Sequence, residues 1–327
     1  MESDWSGSEK AYELVIVGAG PAGLTAGLYA RRSELNAVLL ERGLPGGQLL
    51  NTDLIDDYPG LPEVEGRELA DRMARHAQKF GLPIDTVDVA GIKKMADGDF
   101  RIATNQGTVY RAPAVILTAG GTPNKLEVPG EDEYLGKGVS YCAICDGAFF
   151  KGETIAVAGG GDAAAEEADF LTRYVEKLYL IHRRDELRAA RLLQKRVFEN
   201  PKIEVIWDTV IEEVLGSARG MSQLRLRNVN SGEESLLDVS GLFVFIGFRP
   251  NTGLLEGHAE HDAGGYLITD RDMRTSIPGL FVAGDVRAQL TRQITTAVGD
   301  ATTALIAAEK YLTELKEARR AAETVSP

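Results

Sequence analysis

Apolar residues along this chain fall into short runs, and the runs come twice in one order. Tyr12 to Val17 reads as a buried strand. A glycine turn, a small-residue helix from Gly23 to Arg32 and a second strand from Ala37 to Leu40 follow, giving a βαβ opening. Leu69, Met73, Ala77 and Phe80 recur at three- and four-residue spacing and predict a helix; short strands broken at Asp97-Gly98 and Gln106-Gly107 then lead to a run from Ala114 to Thr118. The order restarts with Ile155 to Ala158, a glycine turn, a helix from Ala163 to Tyr174, a strand from Lys177 to His182, a helix, short strands, and Leu242 to Ile246. Two similar α/β modules in tandem are expected. Breaker-rich joints at Gly120 to Pro123 and Gly247 to Asn251 set the second apart, and the stretch after Arg249 is too short and too helix-weighted to stand alone, so it completes one of the modules. Met1 to Lys10 and Lys316 to Pro327, rich in charge and lacking an apolar stripe, read as frayed tails.

Composition narrows the classes. With 327 residues, 44% apolar and 26% charged, the chain is an ordinary globular one with room for about two domains. A net charge of −13 disfavours nucleic acid and acidic membrane surfaces as partners. The apolar stretch Leu14 to Ala30 contains Pro21 and four glycines and follows an acidic tail, so it fits neither a signal peptide nor a membrane span. Two cysteines and four scattered histidines form neither a disulfide scaffold nor a set of metal ligands, and a reducing cytoplasmic setting fits best.

The 36 glycines exceed the usual share, and two groups of them carry chemistry. Gly18-Ala19-Gly20-Pro21-Ala22-Gly23 follows a strand and opens a helix, the setting in which GxGxxG cradles a pyrophosphate: one glycine for the turn, one for close approach of the phosphates, one for helix packing. Glu41, 23 residues after the first glycine, suits a ribose diol. In the second module Gly159-Gly160-Gly161-Asp162-Ala163-Ala164 gives a GxGxxA variant, and His182 stands at the same 23-residue offset, followed by Arg183, Arg184 and Arg188. An acid repels a 2′-phosphate and a basic cluster attracts one, so the first site reads as one for FAD and the second as one for NADPH. A sterically packed turn and a solvated helix entrance are the blander alternatives.

Both cysteines lie in Cys142-Ala143-Ile144-Cys145, followed by Asp146. Two-residue spacing suits a small redox disulfide ring, and metal binding lacks a second ligand pair. Asp146 can move a proton as a thiolate forms, or simply cap a helix.

Taken in order, GAGPAGLTA at Gly18, PGGQL at Pro45, CAICDG at Cys142, GGGDAAAEEA at Gly159, HRRDELRA at His182, GFRPNT at Gly247, VAGDV and RQI resemble the low-molecular-weight, bacterial-type thioredoxin reductases across nearly the whole chain. That resemblance implies two Rossmann-like dinucleotide-binding domains, each a parallel sheet with helices and a small antiparallel meander. Residues 12–122 and 250–316 would form the FAD domain and 123–249 the NADPH domain carrying the dithiol, between flexible tails 1–11 and 317–327. Around the flavin it places Arg42 beside Glu41, then Gly46, Gly47, Gln48, Leu49 and Asn51. Thr118, Ala119 and Gly120, Gly284 and Asp285 on the ribityl chain, and Arg292, Gln293 and Ile294 at the ring complete that set. It further implies a homodimer that passes electrons from NADPH through FAD to Cys142–Cys145 and on to thioredoxin or a thioredoxin-like protein, with Cys145 facing the flavin, Cys142 attacking the acceptor and Asp146 moving the proton. One rigid arrangement can hardly bring nicotinamide, dithiol and a bulky acceptor to their places in turn, so rotation about the two joints is expected. Departures are small: Asp162 and Ala163 stand where Asn and a hydroxyl residue are frequent, and Thr291 where an aromatic residue is often found. Other acceptors remain open, namely a small disulfide or a peroxidase carrier, although relatives serving peroxidases carry an additional N-terminal redox module. A low-turnover flavin sensor is disfavoured by the basic cluster, which such a protein does not need.

Overall fold

Alternate residues of Leu14–Val17 point to opposite faces of a sheet, and both faces are covered, which is why the run is apolar throughout. Leu14 and Ile16 pack among Leu24, Ala26, Ala301 and Leu305 of the helices Pro21–Arg32 and Ile294–Val325. Val15 and Val17 pack on the other face among Phe100, Ile102 and Tyr110. The computed structural model describes residues 8–51, 54, 55, 57–255 and 259–325, with the side chains of 51, 54 and 322–325 outside that description. Its chain divides into two units, one of residues up to 52, 58–122 and from 250 on, the other of 123–249 together with 53–57.

The first unit is built on a five-stranded parallel sheet in the order Leu280–Val282, Ala114–Leu117, Leu14–Val17, Ala37–Glu41, Ile84–Thr86. A four-stranded sheet covers one face, with Val89–Lys94, Phe100–Thr104 and Thr108–Ala112 antiparallel in sequence and Ser8–Ala11 added in parallel at the edge. The second unit repeats the design. Its parallel sheet runs Val139–Ser140, Gly241–Phe245, Thr154–Gly159, Lys177–Ile181, Ile203–Ile206. Ile155 and Val157 face the helices Asp162–Leu171 and Arg191–Glu199, while Ala156 and Ala158 face an antiparallel meander of Thr209–Ser217, Gly220–Asn228 and Glu234–Asp238. The joints Gly121–Pro123 and Phe248–Pro250 pair as two short strands.

Both ends read as tails differ from that expectation. Ser8–Ala11 is a fully exposed edge strand, so it has no apolar alternation to betray it; Glu9 pairs instead with Arg101, and Lys10 with Asp85. The last helix continues past Lys316 to Val325. Charge rather than an apolar stripe holds its end: Lys316 reaches Glu13, and Arg319 lies 3.0 Å from Asp99, a buried carboxylate also held by Arg111 at 2.7 Å.

Candidate functional site

The first glycine turn lies at the carboxyl end of Leu14–Val17, between neighbouring strands Ala114–Leu117 and Ala37–Glu41, the crevice where parallel α/β sheets bind ligands. Gly18 has φ +104°, and a Cβ there would sit 2.6 Å from the Thr118 carbonyl oxygen; a Cβ on Gly23 would sit 1.8 Å from the Gly18 oxygen. Those two glycines serve packing. Gly20 differs: among the described residues nothing lies within 3.4 Å of its missing Cβ and no side chain caps the helix it starts, and no acid stands in the first turn. The helix amides and their partial positive charge can therefore receive an anion. Pro21 removes one of these amides at no cost to the helix, and Ala22 is buried behind the turn. Gly23→Ala is expected to lower stability by about 3 kcal/mol, read from urea unfolding of the flavin-loaded protein, because backbone and not a flexible side chain blocks the new methyl.

Segments far apart in sequence converge on this turn. The Gly46 amide donates to the Ala19 oxygen at 2.8 Å, and a Cβ on Gly47 would lie 2.9 Å from the Gly20 Cα. The buried Thr118 hydroxyl bonds the oxygens of Val17 and Gly18, and Gly284, at φ +77°, leaves its missing Cβ only 3.1 Å from that of Ala22. Glu41 accepts the amides of Ala19 at 2.7 Å and Gly43 at 3.0 Å, so it braces the turn while its remaining lone pairs stay open to a diol. Gln48 donates to the Gly121 oxygen, Leu49 is buried and Arg42 is exposed. The Asn51 side chain lies outside the described residues. Asn251, which the sequence marked only as part of a joint, donates its side-chain amide to Ala119 and its backbone amide to Gly120.

Around Gly284 the site turns polar. Its amide donates to Asp300, a buried carboxylate that also holds Arg287 at 3.1 Å. Burial pushes the neighbouring Asp285 carboxyl up to about 6, with Arg292 opposing and Asp300 adding to the shift. The Arg292 guanidinium stacks 4.0 Å over the Tyr266 ring, and its Nε is buried without a hydrogen-bond partner among the described residues. Gln293 donates its amide to the Thr296 hydroxyl, and Ile294 begins the long helix. A buried guanidinium nitrogen left unpaired among the described residues, near a carboxyl whose pKa burial raises, suits a bound polar group, and the open Gly20 cradle suits a pyrophosphate; both fit FAD. Tyr266 and Asp300 had no motif to reveal them.

Asp285 predicts a pH dependence. Its folded value lies above the unfolded one near 3.8, so the native chain binds the extra proton between the two. This group's contribution to stability is therefore complete below about 4 and is lost as pH rises toward 6. In flavin-free protein, Asp285→Asn should flatten that fall and raise stability at pH 7 by on the order of 2 kcal/mol, while flavin is released more readily. Thermal melts from pH 4 to 7 check the first effect and flavin retention on gel filtration the second.

The second turn uses its three glycines differently. Gly159 has φ +154°, and its missing Cβ would meet Ala164 and the Phe245 oxygen at 2.5 Å. A Cβ on Gly160 would lie 2.2 Å from the His182 ring, whereas Gly161 is open and caps its helix without a side-chain bond. His182 thus departs from its expected place in a surface cluster. It is 5% exposed, lies under Gly160 and edge-on to Trp207 at 6.4 Å, and burial lowers its pKa. Its Nε2 has no hydrogen-bond partner among the described residues. Arg183, Arg184 and Arg188 are exposed, and the Arg188 amide donates to the Gly160 oxygen at 2.7 Å, which carries this arginine segment across the turn. Asp162 is exposed and accepts the Ala190 amide at 2.7 Å, tying the same segment to the helix start; Ala163 is exposed and Ala164 buried. The open Gly161 amides and the arginine rim fit a dinucleotide bearing a further phosphate.

Cys142 and Cys145 form a disulfide with Cα atoms 5.3 Å apart, at the start of the four-residue helix Ala143–Asp146. The Cys145 amide points at Cys142 Sγ from 3.2 Å. Buried Ser140, another residue no motif revealed, accepts the Cys142 amide at 3.0 Å and donates its hydroxyl to Asp146 Oδ2. The dithiol, its amide donor and a carboxylate thus share one hydrogen-bonded loop. Phe150 packs into the core against Phe243, but Phe149 and Ile144 are about half exposed. Among the described residues no group of side chains could hold a metal ion, and no helix is long and apolar enough to cross a membrane.

Two glycine-turn sheets, one carrying a CxxC disulfide, define a paired dinucleotide-binding protein with a redox-type centre. The chain belongs to the pyridine nucleotide-disulphide oxidoreductase family, whose model matches residues 12–301. It is 45% identical to a thioredoxin reductase of Listeria innocua over 96% of this chain and 98% of the relative, and 42% identical to one of Bacillus subtilis over 94% and 97%. A solved thioredoxin reductase from Streptococcus pyogenes, 43% identical, superposes with a TM-score of 0.89 over 93% of this chain and 99% of that one.

Proposed function

We propose that this chain is an FAD-containing reductase that uses NADPH to reduce the disulfide of thioredoxin or a thioredoxin-like protein, acting as a cytoplasmic homodimer. The observation that carries the reading is the Cys142–Cys145 disulfide, which uses the chain's whole cysteine content and lies in the same unit as the open Gly161 turn and its arginine rim. Relatives named thioredoxin reductase at 42 to 45% identity support the acceptor.

In this reading the Gly18–Gly23 turn, Glu41, Gly46, Gly47, Thr118, Gly284, Asp285 and Arg292 hold FAD, and the Gly159–Ala164 turn with Arg183, Arg184 and Arg188 holds NADPH. Bound FAD supplies a two-electron relay between NADPH and the disulfide. The net change converts NADPH, a proton and a disulfide into NADP+ and two thiols. Reduced Cys142 attacks the acceptor disulfide through its thiolate Sγ, forming a mixed disulfide and expelling one acceptor thiolate. Cys145 Sγ then attacks Cys142 Sγ, releasing the second acceptor thiolate and restoring the Cys142–Cys145 bond. Asp146, steadied through Oδ2 by the Ser140 hydroxyl, takes up and returns the thiol proton, and the Cys145 amide favours negative charge on Cys142 Sγ. His182 acts beneath the nucleotide turn rather than on the phosphate.

Steady-state NADPH oxidation by the flavin-loaded protein, with and without a panel of thioredoxins, tests the proposal. Turnover that needs a thioredoxin supports it. Turnover only with small disulfides would change the acceptor, and no turnover with any disulfide would overturn the reading.

A further inference from the structure

The backbone entering the dithiol is tied to a buried carboxylate that no motif marks. Glu131 is 2% exposed and accepts three hydrogen bonds, from the Leu126 and Glu127 amides at 2.8 Å and from the Tyr141 hydroxyl at 2.7 Å. Burying a carboxylate is costly without donors, and three offset that cost. Burial, and then Glu131 itself, push the Tyr141 phenol well above its ordinary range, so it remains a donor. Glu131 is in turn fixed from behind. Gly130, at φ +84°, packs so closely on the strand Thr209–Ser217 that a Cβ would lie 2.0 Å from the Val214 oxygen, and the Val214 amide donates to Pro129 at 2.9 Å. A continuous path therefore runs from the meander through Pro129, Gly130 and Glu131 to Tyr141, the residue before Cys142.

This bond can matter to chemistry because the disulfide opens in each cycle. While closed, the S–S bond itself holds Cys142 at Cys145. Once open, the effective concentration of one sulfur at the other depends on how tightly each flank is held. Cys145 lies on the helix Ala143–Asp146, whereas Cys142 is the cap residue before it, held on the helix side by the Asp146 amide on its carbonyl and on the other flank by Ser140 and Tyr141. We propose that Glu131 and Tyr141 are a positioning pair that holds the Cys142 side of the dithiol in place while the disulfide is open. The proposal rests on the reading of Cys142–Cys145 as a redox pair.

The test is a thiol–disulfide equilibrium measured on the full-length flavoprotein without NADPH or acceptor. Wild type, Tyr141→Phe, Glu131→Gln and the double variant are equilibrated anaerobically in buffers of reduced and oxidised dithiothreitol. The two protein thiols are then counted by alkylation and mass. In this exchange the Cys142–Cys145 bond breaks, both cysteines gain a proton, and dithiothreitol closes to its cyclic disulfide. Loss of one hydrogen bond is expected to shift the equilibrium about fivefold toward the protein dithiol in Tyr141→Phe. The double variant should shift no further than the stronger single one. Variants that melt at lower temperature but keep the wild-type equilibrium would overturn the proposal and leave the pair a structural brace. Should Glu131→Gln fail to fold, Tyr141→Phe, which keeps the ring, decides alone. Failure of the wild type to turn over with NADPH and thioredoxin would count against the proposed function while leaving this equilibrium readable.

Discussion

Replacing Arg183 and Arg184 together by alanine is expected to lower the ratio of kcat/KM for NADPH over NADH by about a hundredfold. Charge-assisted hydrogen bonds contribute ~1.5 to 3 kcal/mol each, and because both guanidinium groups are exposed the lower end applies. Two such bonds amount to ~3 kcal/mol, roughly two factors of ten. Almost all of the loss should fall on NADPH, since NADH lacks the phosphate, and the wild-type preference should weaken as salt is added. His182 separates this from a general disturbance of the turn. It is buried under Gly160 and its Nε2 is not at the surface, so His182→Asn should lower kcat/KM for both nucleotides alike and leave the ratio unchanged. An unchanged ratio in the double arginine variant would remove these residues from the coenzyme site.

His182 also shows where sequence reading stops. The shared 23-residue offset from the first glycine matched it to Glu41, and the registers agree, since Val17 pairs with Leu40, just before Glu41, as Ala158 pairs with Ile181, just before His182. Spacing locates a residue along a strand, but not whether its side chain turns outward or under the neighbouring turn. That depends on Gly160, whose lack of a side chain makes room for the ring. Repeated apolar runs made both parallel sheets legible, because strands buried on two faces are apolar throughout. Ser8–Ala11 and the end of the last helix were not legible, since ion pairs such as Arg319–Asp99 hold them and leave no period in the sequence. Ser140, Glu131, Asp300 and Tyr266 were missed for a related reason: each acts through hydrogen bonds or a stacked ring whose partners lie in a turn or elsewhere in the chain, and no spacing rule covers such partners.

The cysteines carry the other large expected effect. Cys145→Ser and Cys142→Ser should each reduce NADPH-driven disulfide reduction by roughly 10³-fold or more, since removing a covalent nucleophile leaves only background exchange. Both variants should still pass electrons from NADPH to ferricyanide, an acceptor that needs no thiol. They should differ in what they trap. With Cys142 as the attacking thiol, Cys145→Ser accumulates a mixed disulfide with thioredoxin because the sulfur that resolves it is gone, whereas Cys142→Ser accumulates none. The geometry is consistent with that order, for Cys142 Sγ receives the Cys145 amide at 3.2 Å, a donor that stabilises an attacking thiolate. Asp146→Asn should be milder, on the order of 10²-fold, because it removes proton transfer but leaves both sulfurs. Its loss should grow where the acceptor thiolate most needs protonation, and a pH–rate profile of the variant against wild type measures that. A mixed disulfide trapped in Cys142→Ser and absent from Cys145→Ser would reverse the two roles, and full turnover in either would dissociate the disulfide from the reaction altogether.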